Sequence, residues 1–304
     1  MVRAKLSLHV PDQAVAIRLL DAGSDFVLGR DPGCELALAH ASVSRRHARL
    51  TKCDVGWQLT DLSSKNGTRV NGVRVTSALL GHGQWFAVGD VYCEFELVGA
   101  QAQSQLQARA TERRQSSAAW TARLRTDGDL HALLGELLNA IVNVAECQRG
   151  FLLTPDATGQ LRVAACFGLA PQDLRSNAYS GSRSAVDRVR SERRALYLSD
   201  ERDRVWLKER ASVVAQKITA LVCLPLLHEG ELLGIAYADT SAPAHIFTEL
   251  DAEMLTALVD HASSVLAARR LAAQLAQLTA WVAVDSQGAT RAAGAAEIWP
   301  GAST

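Results

Sequence analysis

Between residues 29 and 72 the chain carries Gly29-Arg30, then Ser44-Arg45-Arg46-His47, then Ser63-Ser64-Lys65-Asn66-Gly67-Thr68, and then Val70-Asn71-Gly72. These four pieces are rich in donors and cations, and strand-like runs separate them. Arg30 offers a planar guanidinium that can hold two phosphate oxygens at once by charge-assisted hydrogen bonds. Ser44 adds a hydroxyl donor, Lys65 an ammonium, and Asn66 an amide able to bind the backbone of an extended peptide. Taken singly, each piece has an ordinary reading. Gly-Arg is a turn followed by a solvated cation, and Asn71-Gly72 is a hairpin signal, because both central residues of a type I′ turn need positive φ. His47 reads as a buried imidazole bracing the loop that presents Ser44.

Outward from these pieces, short strands are expected over 5–10, 15–20, 25–28, 47–52, 57–62, 84–88 and 91–98, with Asn71-Gly72 turning between 68–70 and 73–75. Short strands at this spacing predict an antiparallel β-sandwich. Arg30, Ser44 and Lys65 then fall in inter-strand loops, where a rigid scaffold fixes side chains that stay accessible. The four pieces in this order resemble a forkhead-associated (FHA) domain. That resemblance implies phosphothreonine reading, with Arg30, Ser44, Arg45, Lys65, Asn66 and Asn71 at the peptide and Gly29, His47 and Gly67 shaping the site. Its implied partner is a phosphothreonine protein, a Ser/Thr kinase or its substrate.

Composition allows two domains. There are 304 residues, 48% hydrophobic, and the 32 basic side chains balance 32 acidic ones. A zero net charge supplies no global field toward nucleic acid or an anionic membrane, so any phosphate recognition must be local. Cys34, Cys53, Cys93, Cys147, Cys166 and Cys223 show no C-x-x-C spacing and read as buried thiols in a reducing compartment. The first residues carry no long apolar run of a secretory leader, and no run approaches a membrane span. A cytoplasmic bacterial protein is therefore expected.

Residues 100–128 are polar and contain good helix formers, which predicts a partly helical linker; its arginines read as a solvated face, and Trp120 and Leu124 hint that its end packs on something. From 129 the period becomes 3.6: Leu130, Leu133, Leu134, Leu137, Leu138, Ile141 and Val142 mark a helix with Asp127 or Asp129 as N-cap. Strands follow over 150–153 and 161–166. A charged helix-and-loop region over 182–210 holds a short strand at 195–198. Apolar strands over 218–226 and 232–239 come next, and then a long helix from about 248 toward 278. Leu224-Pro225-Leu226, Gly230, Leu233-Gly234-Ile235, Phe247 and Asp251 before a closing helix resemble a GAF domain. That family has a central antiparallel sheet with its terminal helices on one face and a ligand pocket on the other. The whole is thus expected to be multidomain: an FHA-like sandwich over 1–99, a linker over 100–128, an α+β GAF-like domain over 129–279 and a disordered tail over 280–304.

Phe247 and Asp251 match part of a cyclic-nucleotide pattern, but Ala252 follows Asp251 and no Asn-Lys pair precedes. Cys166 lacks the His neighbour that bilin attachment uses. Cys147, Cys166 and Cys223 would have to converge and ionise to serve a GAF-type redox enzyme. The histidines lack zinc spacing. Phosphate loops, nucleophile elbows and kinase signatures are absent. No catalytic residue, metal or cofactor is expected, and the GAF ligand is unidentified. The expected function is a signalling adaptor with a phosphothreonine-reading domain and a second domain for small-molecule sensing or dimerisation. The alternatives are a transcriptional regulator or regulatory subunit acting through a partner, or a redox enzyme. A homodimer is expected from the excess apolar surface of the helices.

Overall fold

A computed structural model describes residues 3–21, 23, 25–124, 129–169, 180–199, 218–243 and 245–294. In the first domain β1 (Arg3–His9), β2 (Ala16–Leu20), β7 (Thr68–Val70), β8 (Val73–Val75), β10 (Gln84–Val88) and β11 (Val91–Val98) form one sheet, ordered β2-β1-β11-β10-β7-β8. The facing sheet runs β4-β3-β5-β6-β9 and is built from β3 (Phe26–Gly29), β4 (Leu36–Ala37), β5 (Ala48–Cys53), β6 (Gly56–Asp61) and β9 (Ser77–Leu80). All pairings are antiparallel except the two-residue β3–β4 contact. Alternate residues point inward, so Leu6 and Leu8, Leu50, Trp57 and Leu59, and Phe86 and Phe95 fill the space between the sheets. Trp57 spans it, with ring centroids 6.2 Å from Phe26 and 6.1 Å from Phe95.

Four helices are described: α1 (Ala100–Arg123), α2 (Leu130–Val144), α3 (Ser180–Glu192) and α4 (Glu249–Gly294). The second domain's sheet is ordered β13-β12-β16-β15-β14, from β12 (Arg149–Pro155), β13 (Leu161–Phe167), β14 (Leu196–Ser199), β15 (Ala220–His228) and β16 (Glu231–Thr240). Strand periodicity sorts its two cores. Val222, Leu224 and Leu226 of β15 join Leu137 and Ile141 of α2 and Leu255 and Leu258 of α4. Leu221 and Cys223 face the other way, toward Val186 and Val189 of α3. Asp129 caps α2, its carboxylate accepting from Ala132 N at 3.3 Å; Asp127 lies outside the described residues.

Two expected segments are corrected. The 100–128 stretch is more than a linker: α1 is one continuous helix packed on the second domain. Arg113 pairs with Asp251 and donates to the Val144 carbonyl at 2.9 Å, and Trp120 packs against the core that contains Leu124. Trp120 and Leu124 give a sequence hint of packing at the end of α1, whereas the polar contacts of Arg113 leave no hydropathy signal. Residues 280–294 are helical rather than an irregular tail, since Ala280-Trp281-Val282-Ala283-Val284 continues α4 without a breaker. Residues 295–304 lie outside the described set, as does the charged run over 200–210.

The two domains also meet directly, through the loop between β1 and β2. Val15 N donates to Phe247 O at 2.7 Å, and Glu249 N donates to Val15 O at 2.9 Å. Arg188 Nη2 reaches Asp12 Oδ2 at 2.7 Å and Arg18 Nη2 reaches Glu249 Oε1 at 3.0 Å, while Ala14 packs on the second domain's core. No described helix is long and apolar enough to cross a membrane.

Candidate functional site

Gly29 explains how the loop bearing Arg30 meets the loop bearing Ser44. A Cβ at position 29 would lie 2.1 Å from the Arg45 carbonyl oxygen and 2.9 Å from Cys34 Sγ. Only glycine lets the two backbones approach so closely. They are then joined by Arg30 N donating to Ser44 O at 3.0 Å and Asp31 N to Arg45 O at 3.2 Å. The Arg30 and Arg45 side chains are left exposed on the same rim.

The second junction is made by His47, which is fully buried. Ser44 N donates to its Nδ1 at 3.1 Å, so that nitrogen accepts, and Nε2 faces the Gly67 carbonyl at 3.2 Å as donor. This arrangement requires the neutral imidazole with its proton on Nε2. Burial lowers the pKa of His47 below its ordinary 6.5, outweighing the opposing pull of the Gly67 carbonyl and Asp61. A lowered folded-state value means that protonation favours the unfolded chain. The stability His47 contributes is therefore complete above about pH 6.5 and is lost as pH falls through the lower folded-state value. Denaturant titrations across pH 4 to 8 are expected to show this decline, and His47→Gln to flatten it while lowering stability at neutral pH.

Lys65 and Asn66 reach the same rim from the loop after β6. Lys65 N donates to Ser44 Oγ at 3.0 Å, so that oxygen already accepts one bond and its own proton is free for an incoming acceptor. Asn66 Nδ2 donates to Ser42 O at 2.7 Å, leaving its amide oxygen and second hydrogen for a ligand backbone. Beneath them lies a group of residues that sequence reasoning missed. Asp61 accepts from Ser64 N at 3.0 Å, Ser64 Oγ at 2.6 Å and Thr68 Oγ1 at 2.6 Å, and Gly67 N donates to Ser64 Oγ at 3.0 Å. Burial opposes the charge on Asp61, but these hydrogen bonds prevail and hold its carboxyl below the ordinary range. Ser42 ties in the β10–β11 turn by accepting from Asp90 N at 2.9 Å. The only sequence signal for this bracing was short polar side chains three and seven residues after Asp61.

Asn71 stands apart from this cluster. It sits exposed at the β7–β8 turn with φ 49°, beside Gly72 at φ 83°, and its N–H donates to Trp85 O at 3.2 Å. Its visible work is conformational.

An FHA domain model matches residues 26–89 and a GAF domain model matches residues 129–266. The chain carries an FHA domain followed by a GAF domain. Over 76 residues it is 38% identical to the glycogen accumulation regulator GarA of Mycolicibacterium smegmatis, a match covering 23% of this chain and 48% of GarA. The chain thus spans about half the length of the curated relative it matches. Among solved structures it is similar to the FHA domain of the CT664 protein from Chlamydia trachomatis: 28% identity, TM-score 0.30, covering 32% of this chain and 99% of that one. It is also similar to Mycobacterium tuberculosis EmbR in complex with a low-affinity phosphopeptide: 25% identity, TM-score 0.27, covering 30% of this chain and 24% of that one.

In the GAF domain the cysteines do not form a thiol centre. Cys166, Phe151, Tyr237 and Cys223 occupy one row across β13, β12, β16 and β15. Two aromatic residues and three strand spacings, about 14 Å, therefore separate the two thiols. Cys147 packs with the core on the opposite face. Burial pushes the Cys147 and Cys223 thiols well above their ordinary value, which suppresses the thiolate that redox chemistry needs. Asp251, part of the GAF resemblance, acts structurally: it accepts from Thr248 N at 2.7 Å at the start of α4 and pairs with Arg113. A cleft of about 960 Å³ opens at one end of the sheet, where Leu130, Leu233 and Leu266 meet Arg190 and Arg193.

Proposed function

We propose that this chain is a signalling adaptor whose FHA domain captures a phosphothreonine-bearing protein, a Ser/Thr kinase or its substrate, in the cytoplasm. FHA domains bind phosphothreonine, and the observation that carries the reading here is the Lys65 N–H to Ser44 Oγ bond. It brings the Lys65 and Ser44 loops together beside the Gly29 junction that presents Arg30. Arg30 would clamp the phosphate, Ser44 would donate its hydroxyl and Lys65 would supply charge. Asn66 would fix the peptide backbone, with Arg45 flanking, and Asn71 would act by shaping the β7–β8 turn. A phosphate adds about −1.5 to −2 charge near neutral pH, so a kinase can switch such binding. Anisotropy titrations of the full chain with a degenerate peptide library, threonine-phosphorylated or unmodified, test the reading. Binding confined to the phosphorylated library supports it, and equal binding of both opposes it.

The GAF domain is assigned ligand sensing or dimerisation, and one observation favours a homodimer. Leu271, Leu275 and Leu278 of α4 are 58%, 56% and 61% exposed and recur at helical spacing on one face. Such a stripe commonly packs against a symmetry mate. Light scattering is expected to give a dimer for the wild type and a monomer for Leu275→Glu/Leu278→Glu. A monomeric wild type at high concentration would remove the dimer from the account.

A further inference from the structure

Residues 1–99 are nearly neutral, with eleven Lys and Arg against ten Asp and Glu, yet six of the eleven, Arg30, Arg45, Arg46, Lys65, Arg69 and Arg74, fall on the recognition loops or on the β7–β8 hairpin after them. Among the described residues none of these six forms an ion pair, whereas Arg3, Lys5, Arg18 and Arg49 each have an acidic partner. The phosphate reading uses Arg30, Arg45 and Lys65. It does not account for Arg69 and Arg74.

These two arginines are direct cross-strand partners in the β7–β8 hairpin. Thr68 and Val70 are buried, so alternation turns Arg69 to the outer face, and Arg74 opposite it shares that face. On its other side Arg69 is paired with Ala87 of β10, so no carboxylate stands beside it in the ladder. Like charges directly opposite each other destabilise a hairpin. The Arg74 guanidinium also lies against the phosphate-site loop: a Cβ on Gly67 would be 2.5 Å from its Nε and 2.8 Å from its Cζ. Gly67 follows Asn66 directly.

Resting on the phosphopeptide reading above, we propose that Arg69 and Arg74 form a second anion site, which takes a carboxylate or a further phosphate carried by the same phosphothreonine peptide. Among the described residues the opposed pair lacks a counter-ion, and two forked guanidiniums suit an oxyanion held between them. Because the Arg74 guanidinium lies against Gly67, next to Asn66, the second anion belongs close to the phosphothreonine along an extended ligand. The ligand class is therefore an acidic or multiply phosphorylated threonine motif.

The test uses the full chain and fluorescent peptides sharing one sequence. One carries phosphothreonine among neutral residues, one set adds Asp or Glu two to four positions away on either side, and one set adds a second phosphothreonine at the same positions. The wild type is expected to bind an acidic or doubly phosphorylated peptide about 10-fold more tightly than the neutral one, the worth of one charge-assisted contact. Arg69→Gln/Arg74→Gln keeps most of each stem and is expected to hold the neutral peptide within about twofold of wild type while losing the 10-fold gain. A gain shared by both sets identifies a carboxylate-competent site; a gain confined to the second set identifies a second phosphate. The inference is overturned if the wild type shows no preference, or if the variant weakens all peptides equally; Arg30-dependent binding of the neutral peptide then shows that the phosphothreonine site stands without it. If the wild type binds no phosphothreonine peptide, both readings fall together.

Discussion

Arg30→Ala is expected to weaken phosphothreonine-peptide binding by about 100-fold, or about 2.8 kcal/mol, while leaving the melting temperature unchanged. The magnitude follows from losing a forked pair of charge-assisted hydrogen bonds, each about 1.5–3 kcal/mol before the cost of ordering the side chain. The fold is spared because Arg30 is exposed and its structural work is done by the backbone, through Arg30 N to Ser44 O. Arg30→Lys separates charge from geometry. A lysine keeps the charge but not the fork, so most of the loss is expected to remain. Titration of wild type and both variants with one phosphopeptide checks this, and unchanged affinity of Arg30→Ala would refute the assignment of Arg30.

The second large effect lies in the GAF domain. Asp239 is fully buried, and Arg149 Nε and Nη2 reach its Oδ1 at 2.9 and 2.6 Å, pinning β12 to β16. Burial pushes Asp239 up against the opposing pull of Arg149. Arg149→Ala strands a carboxylate in the protein interior, at a cost of about 3–5 kcal/mol at neutral pH. The deficit should narrow as pH falls, because protonation neutralises the stranded group. Replacing both partners, as Arg149→Met/Asp239→Leu, removes the charge with its counter-charge and is expected to recover most of the loss. Urea denaturation of the three proteins provides the comparison; equal instability of the single and double variants would show that packing, not stranded charge, is responsible.

How much of this was legible in the sequence varied with the kind of signal. Gly29, Arg30, Ser44, His47, Lys65 and Asn66 stand out as candidates because loop chemistry is written in particular residue types at particular spacings. His47 reads as a buried brace from its place beside the Ser44 loop, and the structure gives its two partners, Ser44 N and Gly67 O. The Asp61–Ser64–Thr68 bracing was invisible because it depends on three side chains turning inward, which no period marks. The short strands β4 and β9 were missed: β4 has only two residues, and β9, Ser77-Ala78-Leu79-Leu80, ends on two adjacent leucines with no apolar-polar alternation. The 3.6-residue period found α2 through its apolar face; in α1 only Trp120 and the adjoining Leu124 hinted at packing, because its other holds on the second domain, Arg113 and Arg114, are charged. Nor could the β1–β2 loop be seen to seat on Phe247 and Glu249, because backbone hydrogen bonds between domains leave no trace in side-chain pattern.

That seating gives the adaptor reading a physical form. The β1–β2 turn projects from the same end of its sheet as the β10–β11 turn, which Ser42 ties to the recognition loops. The GAF domain is therefore joined to the FHA domain at the end where the phosphate-site loops emerge.

The most direct test is a transverse-relaxation-optimised amide spectrum of the full chain, recorded as a phosphothreonine peptide is titrated in. The account predicts that the amides of Arg30, Ser44, Arg45, Lys65 and Asn66 shift together and saturably, with no shifts from the unphosphorylated peptide. Shifts centred anywhere else on the protein, with those five amides unmoved, would contradict it.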